Sequence, residues 1–523
     1  MATLGVPSMG RTRLSLIILG LVLCLASCGP APRAVSPEVA DQGQKVQQAA
    51  ALVSKGHYLA FKNACRIYEP LYARPSLRPK VAAPYIEACL HLALREKQIG
   101  IDNRTTLGAA AKILKENPPL SGFEAYATLI GAIPPRSRGV MRDIDTSTWN
   151  KSGADALKAA EEAVRKRAAA NEFAAYVLTA WSCGFGLYSE KWRDPADLLK
   201  AFPGSLLLKY AVATCGEGRP DLLEEILARE PGFAEAYYHL GEAALREGRL
   251  LAAEAHLLKA YDAIPESPQT RILLAGIYFA TEEFERSLDF YDLTLEISPE
   301  FRDALLGKAI CLSYLGRFEE SMAVLGRILE LGYWLLGEAH YWLARDLHEL
   351  KRDAEALRHI DEAKGRLPTN SEVFGLSGTI ALDLGELDRA EEDFRESLKY
   401  NPQNIESLFG SGTVAGRKSL WRESAGFYEK AAGACETSAA AFRAKIEEIK
   451  ASAMSEERKT RLVRKRQAQI DRLELTRATS FYDAAAAFAN AGLKDQAVEA
   501  AGKAAAHPAL MQKAEELLRS IKR

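Results

Sequence analysis

AEAYYHLGEAALREGRLLAAEAHLLKAYDAIP, residues 234–265, sets two apolar stripes at helical spacing on either side of a polar turn and closes them with a proline. Small Gly241 and Ala253 stand where two antiparallel helices would cross closely, and Tyr237, Leu240 and Leu257 are large enough to fill the space around that crossing. Pro265 stops the second helix because it has no amide hydrogen to donate.

The punctuation then recurs. Closing prolines stand at Pro231, Pro265 and Pro299, each 34 residues after the last, and again 34 apart at Pro368 and Pro402. The gap of 69 between Pro299 and Pro368 is two such units plus one inserted residue, with Tyr333 in the missing proline's place. The small residue of the second helix keeps step as Ala253, Ser287, Ser321, Ala356, Ala390 and Ser424. Four residues later come Leu257, Tyr291, Leu325, Ile360, Phe394 and Tyr428. A fixed period of this length marks a helical repeat array.

At these residues the chain resembles the tetratricopeptide repeat (TPR) family, and residues 339–368, AHYWLARDLHELKRDAEALRHIDEAKGRLP, are a second clear copy. The register places repeats at 234–267, 268–301, 302–335, 337–370, 371–404 and 405–438, with a displaced seventh at 478–511. The resemblance implies an all-α helix-turn-helix superhelix whose first helices line a concave groove that holds a peptide or partner helix, and it implies no catalysis. Positions two, five, nine, twelve and thirteen of each repeat are expected to face that groove. They give Tyr238, Arg246, Phe279, Tyr314, Tyr341, Arg345, His348, Phe409 and Arg417. Aromatic and arginine side chains anchor partners because they bury much area and keep a polar tip. The lysine and asparagine set with which some family members clamp a C-terminal carboxylate is missing from these positions.

At the other end, Arg11 and Arg13 precede the apolar run LSLIILGLVLCLA, residues 14–26, which has the form of a secretory signal and is short for a spanning helix. The run ends in Leu25-Ala26-Ser27-Cys28, which resembles the bacterial lipobox. That resemblance implies a leader over residues 1–27, lipidation at Cys28 with thioether- and amide-linked acyl chains, and stable membrane attachment. Gly29, not Asp, follows the cysteine, which implies the outer membrane, facing the periplasm. Residues 28–44, rich in Pro, Ala and polar side chains, read as a tether. Of 68 basic residues, Arg11 and Arg13 leave with the leader, so the mature chain stands at about −3 against 69 acidic residues. That balance gives no sign of a nucleic-acid partner.

Residues 45–230 read as a diverged helical region capping the array. Within it, residues 133–150 have no helical period and carry Arg136, Arg138, Arg142, Asp143, Asp145 and Trp149. Phe173 to Tyr188 is uncharged and reads as a buried core helix, too short to span a bilayer. Apart from Cys24 and Cys28 there are six cysteines, Cys65, Cys89, Cys183, Cys215, Cys311 and Cys435, with no paired spacing for a metal or redox site. They read as small buried hydrophobes, with Cys183 and Cys215 the pair that export could oxidise.

After the sixth repeat, residues 439–477 read as a charged helical insertion, one long helix or a helical pair, and 478–523 as a last repeat with its polar cap. The basic run Arg458, Lys459, Arg461, Arg464, Lys465 and Arg466 is expected to be a solvated helix face. No metalloprotease, hydrolase or phosphate-loop motif occurs, so neither enzyme, cofactor nor metal is expected. His340 and His348, eight residues apart on one helix, are too distant to share an ion. The sequence therefore predicts a lipid-anchored scaffold binding a protein or peptide partner. Two alternatives remain: an accessory subunit of a transport or secretion system with a small ligand near residues 173–188, and an envelope enzyme using residues 136–145.

Overall fold

The computed structural model describes residues 37–101, 103–133, 151–185, 195–215, 218–332 and 336–522. The expected leader, Cys28 and the arginine-bearing stretch with Arg136, Asp145 and Trp149 lie outside these. Among the described residues there are 25 α-helices and no strand, so the fold is an all-α tetratricopeptide-type solenoid with a diverged N-terminal region. No helix among them is long and apolar enough to cross a membrane.

Six helix pairs follow the register of the sequence: Ala234–Arg246 with Leu250–Ala263, Pro268–Ala280 with Phe284–Ile297, Arg302–Tyr314 with Phe318–Leu331, Leu336–Glu349 with Asp353–Arg366, Ser371–Asp383 with Leu387–Tyr400, and Ile405–Arg417 with the start of Trp421–Ala451. The small positions do the work the spacing assigns them. A Cβ on Gly241 would lie 2.6 Å from Leu257 Cγ, and one on Gly378 would lie 2.6 Å from Phe394 Cδ1. Where the small residue of the second helix is serine, its hydroxyl donates to the carbonyl twelve residues back: Ser287 to Ala275 at 2.8 Å, Ser321 to Ala309 at 3.0 Å and Ser424 to Gly412 at 2.8 Å. Serine thus stays small and also leaves no buried hydroxyl unpaired.

The turn inside each pair needs one left-handed residue. Gly248, Gly316 and Gly385 fill it at φ 73°, 74° and 81°, whereas Glu282, Lys351 and Ser419 hold φ 58°, 60° and 61°. A side chain in that region costs about 1 kcal/mol or more relative to glycine.

The N-terminal helices share one core built around Tyr58, Phe61, Ile86, Leu90 and Tyr176, and it continues into Ala234 and Ile264 of the first repeat. Glu172–Phe185 is the core helix expected of the uncharged stretch, with Phe173 to Leu178 all buried. The tether expectation changes: a helix over Pro37–Ser54 begins inside residues 28–44. Among the cysteines the pair singled out is the one joined: Cys183 is bonded to Cys215 with a Cα separation of 5.4 Å, while Cys65, Cys89, Cys311 and Cys435 are free and the last three are buried.

The largest departure is at the C-terminal end. Residues 439–477 are not a separate insertion. The second helix of repeat six runs on through Trp421–Ala451 for 31 residues, and the first helix of repeat seven begins early, as Glu456–Asn490, 35 residues long. Their common stretch forms a hairpin with its own small core of Ala439, Ile446 and Ile470. At 1.5 Å per residue each arm is about 45–50 Å long, enough to reach back along the array.

Candidate interaction cleft between the array and the hairpin

The basic run at the hairpin tip is solvated only in part: Arg461 and Arg464 are exposed, while the side chains of Arg458 and Arg466 are largely covered. Its side chains reach repeats one and two and meet three carboxylates there. Arg458 Nη1 donates to Glu254 Oε2 at 2.6 Å and its Nε to Glu283 Oε1 at 2.9 Å, so one guanidinium bridges carboxylates from two consecutive repeats. Arg461 Nη2 donates to Glu283 Oε2 at 2.6 Å. Arg466 bonds to Glu282 Oε1 and Lys465 to the Glu282 carbonyl, and Gln469 Nε2 donates to Glu282 Oε2 at 3.1 Å. Burial works against the charge of Glu282 and Glu283, but Arg466 and Arg458 more than offset it and hold both carboxylates below their usual range. Sequence reading missed this because a run of cations carries no record of the acids it will meet.

Beside this contact a cleft of about 850 Å³ opens between the carboxyl ends of the first helices of repeats two to four and the hairpin. Phe279, Phe284, Tyr314 and Arg345 line one wall, and Lys465, Gln469 and Arg472 the other. Tyr314 is its centre: its ring stacks parallel on Phe284 at 4.6 Å and meets Trp342 edge-on at 5.5 Å, yet the residue stays 46% exposed. The Arg345 guanidinium lies 5.0 Å from the Tyr314 ring centre and 4.8 Å from that of Trp342. Burial opposes its charge, and its contact with the Tyr314 hydroxyl carries its pKa above the ordinary arginine value. An exposed aromatic ring capped by a cation offers a partner a flat apolar face with a charged rim.

Of the nine residues assigned to the groove, the structure brings together Phe279, Tyr314 and Arg345. Tyr238 is instead buried in the core of repeats one and two, its hydroxyl donating to Glu242 at 3.0 Å. Arg246 lines a separate cleft with Arg219 and His239 at the head of the array. Tyr341 is packed on the core of repeats four and five and lies 5.4 Å from Trp342, and burial pushes its hydroxyl up to about 12. His348 Nδ1 is 2.6 Å from Asp353 Oδ1 across the turn of repeat four. Asp383 stands within 4.8 Å of both, and this trio is the group among the described residues whose donor atoms converge as a metal would need. His340 is paired with His359, Nδ1 to Nδ1 at 2.9 Å, and not with His348. Phe409 packs edge-on against Tyr428 at 5.1 Å, and Arg417 Nη1 donates to the Leu382 carbonyl at 3.2 Å. A register assigns a face, but the shape of the superhelix decides which part of that face is left uncovered.

Known proteins agree with the repeat reading. A family model for the tetratricopeptide repeat matches residues 217–268 and 376–439. The human protein O-mannosyl-transferase TMTC1 is 24% identical over 162 residues, 30% of this chain and 18% of that protein. Cellulose synthase operon protein C of Pseudomonas fluorescens is 34% identical over 89 residues, 17% of this chain and 7% of that one. The chain thus spans less than a fifth of the curated relatives it matches. Among solved structures, a tetratricopeptide protein of Parabacteroides merdae aligns over 52% of this chain and 99% of its own at 15% identity and TM-score 0.35. PilF of Pseudomonas aeruginosa aligns over 38% and 90% at 19% identity and TM-score 0.34. Residues 217–268 and 376–439 are thus tetratricopeptide repeats, and the repeat register and glycine crossings carry the same pattern through the helices between them.

Proposed function

We propose that this protein is a lipid-anchored, non-catalytic scaffold of the bacterial envelope that holds a protein segment in the cleft at Tyr314. The observation that carries the reading is the exposed Tyr314 ring, fixed between Phe284, Trp342 and Arg345 on one wall of a cleft whose other wall is the hairpin. A side chain held rigid while half in water contributes contact area to a partner at little cost in conformational entropy. Anchorage at Cys28 and an outer-membrane, periplasm-facing location rest on the signal and lipobox-like residues, and the Cys183–Cys215 bond fits an oxidising compartment.

A photoreactive residue at Tyr314, with a control at Arg358, whose side chain is 76% exposed on a second helix, tests the site. Capture of one envelope protein from the Tyr314 site alone is expected. Equal labelling from both would remove the cleft from consideration. Labelled palmitate should enter the wild-type chain and not Cys28→Ser.

A further inference from the structure

The contact between hairpin tip and array is made by long side chains. Arg458, Arg461, Lys465, Arg466 and Gln469 carry it. Among the described residues, the apolar cores of repeats one and two include no residue of 456–469. The hairpin's own core is Ala439, Ile446 and Ile470, and the Lys465 ammonium lies 4.4 Å from the Phe284 ring centre, a cation–π contact with the array. Attraction of this kind is held by charge and weakens as salt rises, most at exposed Arg461 and least at the covered Arg458 pairs, the Debye length falling from about 8 Å at 0.15 M to about 3 Å at 1 M.

The array side is shaped for a guanidinium. Glu254 and Glu283 are both buried, on different repeats, and both reach Arg458. Array groups give them partial support: Arg286 Nη1 lies 3.4 Å from Glu283 Oε2, and Thr281 Oγ1 donates to Glu283 Oε1 at 3.0 Å. Glu254 interacts with the Tyr278 hydroxyl, and Arg286 Nη2 donates to that hydroxyl at 2.8 Å. Among the described residues, Arg286 is the array cation beside these two carboxylates, so the socket is short of one positive charge when the tip is removed. Glu282 adds a third acid from the left-handed turn position that three of the repeats give to glycine. A strained, charged residue at that point indicates a use for its side chain.

We infer that Glu254, Glu282 and Glu283 form a binding socket for an arginine-bearing helical segment, that the chain's own residues 456–469 fill it in cis, and that a partner carrying the same chemistry competes for it. Occupancy by the tip closes one side of the Tyr314 cleft, since Lys465 and Gln469 belong to both. A basic partner segment therefore opens the cleft as it displaces the hairpin. The socket stands on its own carboxylates and does not depend on what Tyr314 contacts.

The test uses the mature full-length chain and a labelled peptide of residues 455–472, SEERKTRLVRKRQAQIDR. With the tip neutralised by Arg458→Gln, Arg461→Gln and Arg466→Gln, the peptide should bind in trans, at least about tenfold more tightly than to the wild-type chain, whose socket is filled. Adding Glu254→Gln and Glu283→Gln should abolish that binding, and raising salt should weaken it. Equal binding with and without the carboxylates, or none to the neutralised chain, overturns the inference. A measurement on the unaltered protein guards against misfolding of the variant: hydrogen exchange over residues 456–469 should rise with salt while residues 425–435 hold steady. Exchange at the tip that is insensitive to salt would make the contact a permanent staple, and the inference would fall.

Discussion

Arg95 and Glu235 face each other across the junction between the N-terminal helices and the first repeat, Nε to Oε1 at 3.2 Å, with both side chains sealed from solvent. Arg95 comes from the helix Arg78–Gln98, and Glu235 opens the first repeat. The guanidinium lies 3.8 Å from the Tyr210 ring centre and donates to the Gly56 carbonyl at 2.9 Å, while Glu235 Oε1 accepts from the Tyr58 amide at 2.7 Å. Nε lacks the alignment of a hydrogen bond, so charge and the aromatic face hold the pair. Removing either partner leaves the other charge buried, at a cost of about 3–5 kcal/mol. Arg95→Met and Glu235→Gln should each lower the urea midpoint strongly, and the double variant should lose much less than their sum. Additive losses would mean that the two side chains act separately.

This junction also shows what the sequence does not carry. The repeats were legible because each residue type has a job at a fixed spacing: Gly241 and Gly378 allow a crossing, and Pro265 and Pro299 stop a helix. Arg95 and Glu235 are 140 residues apart in unrelated elements, and nothing local in either stretch announces the other. The same holds for Arg458 with Glu254 and Glu283. In the cleft, periodicity placed Phe279, Tyr314 and Arg345 on one face, but burial of Tyr238 and packing of Tyr341 are set by neighbouring repeats. The continuity of the hairpin with the helices of repeats six and seven was hidden for a related reason: a charged stretch breaks the repeat pattern without breaking the helix that carries it.

The absence of a Cβ at Gly410 lets the first helix of repeat six pack on the Phe394 ring. A Cβ there would lie 2.2 Å from Phe394 Cζ, the ring that closes the preceding repeat. Because Phe394 is fully buried, it has no free direction in which to yield. Gly410→Ala should destabilise the chain by about 1–3 kcal/mol by overpacking, despite alanine's better helix propensity. Gly426, on an adjacent helix with open space around its Cα, is the control, and Gly426→Ala should be neutral or slightly stabilising in thermal unfolding.

Cys183 and Cys215 close a loop with a sequence separation of 32, so their bond restricts the unfolded chain by about 3–4 kcal/mol on the loop-entropy account. Reductant should lower the melting temperature of the wild-type protein. The Cys183→Ser/Cys215→Ser variant should start at the lower value and show no response to reductant. A wild type indifferent to reductant would place the stabilisation of this region in its packing alone.

Asp483, in the last repeat, gives a pH dependence whose sign is opposite to that of the socket carboxylates. Burial raises its pKa from the ordinary 3.8 to about 6. Between those values the folded chain keeps a proton that the unfolded chain has released, so stability falls as pH rises through that window and stays reduced above it. The penalty at neutral pH is about 1–3 kcal/mol, since one pKa unit corresponds to about 1.4 kcal/mol and the site is not wholly dry. Asp483→Asn has the same shape and no charge to bury. It should match the wild type in melting temperature near pH 4 and exceed it at pH 7.5. Glu282 and Glu283, whose pKa values are lowered, contribute stability that is present above their ordinary value of 4.5 and is lost as pH falls through their depressed values. The Asn variant should therefore retain the acid-side loss while the neutral-side loss disappears. Parallel melting curves for the two proteins across this range would show that Asp483 is already solvated in the folded chain.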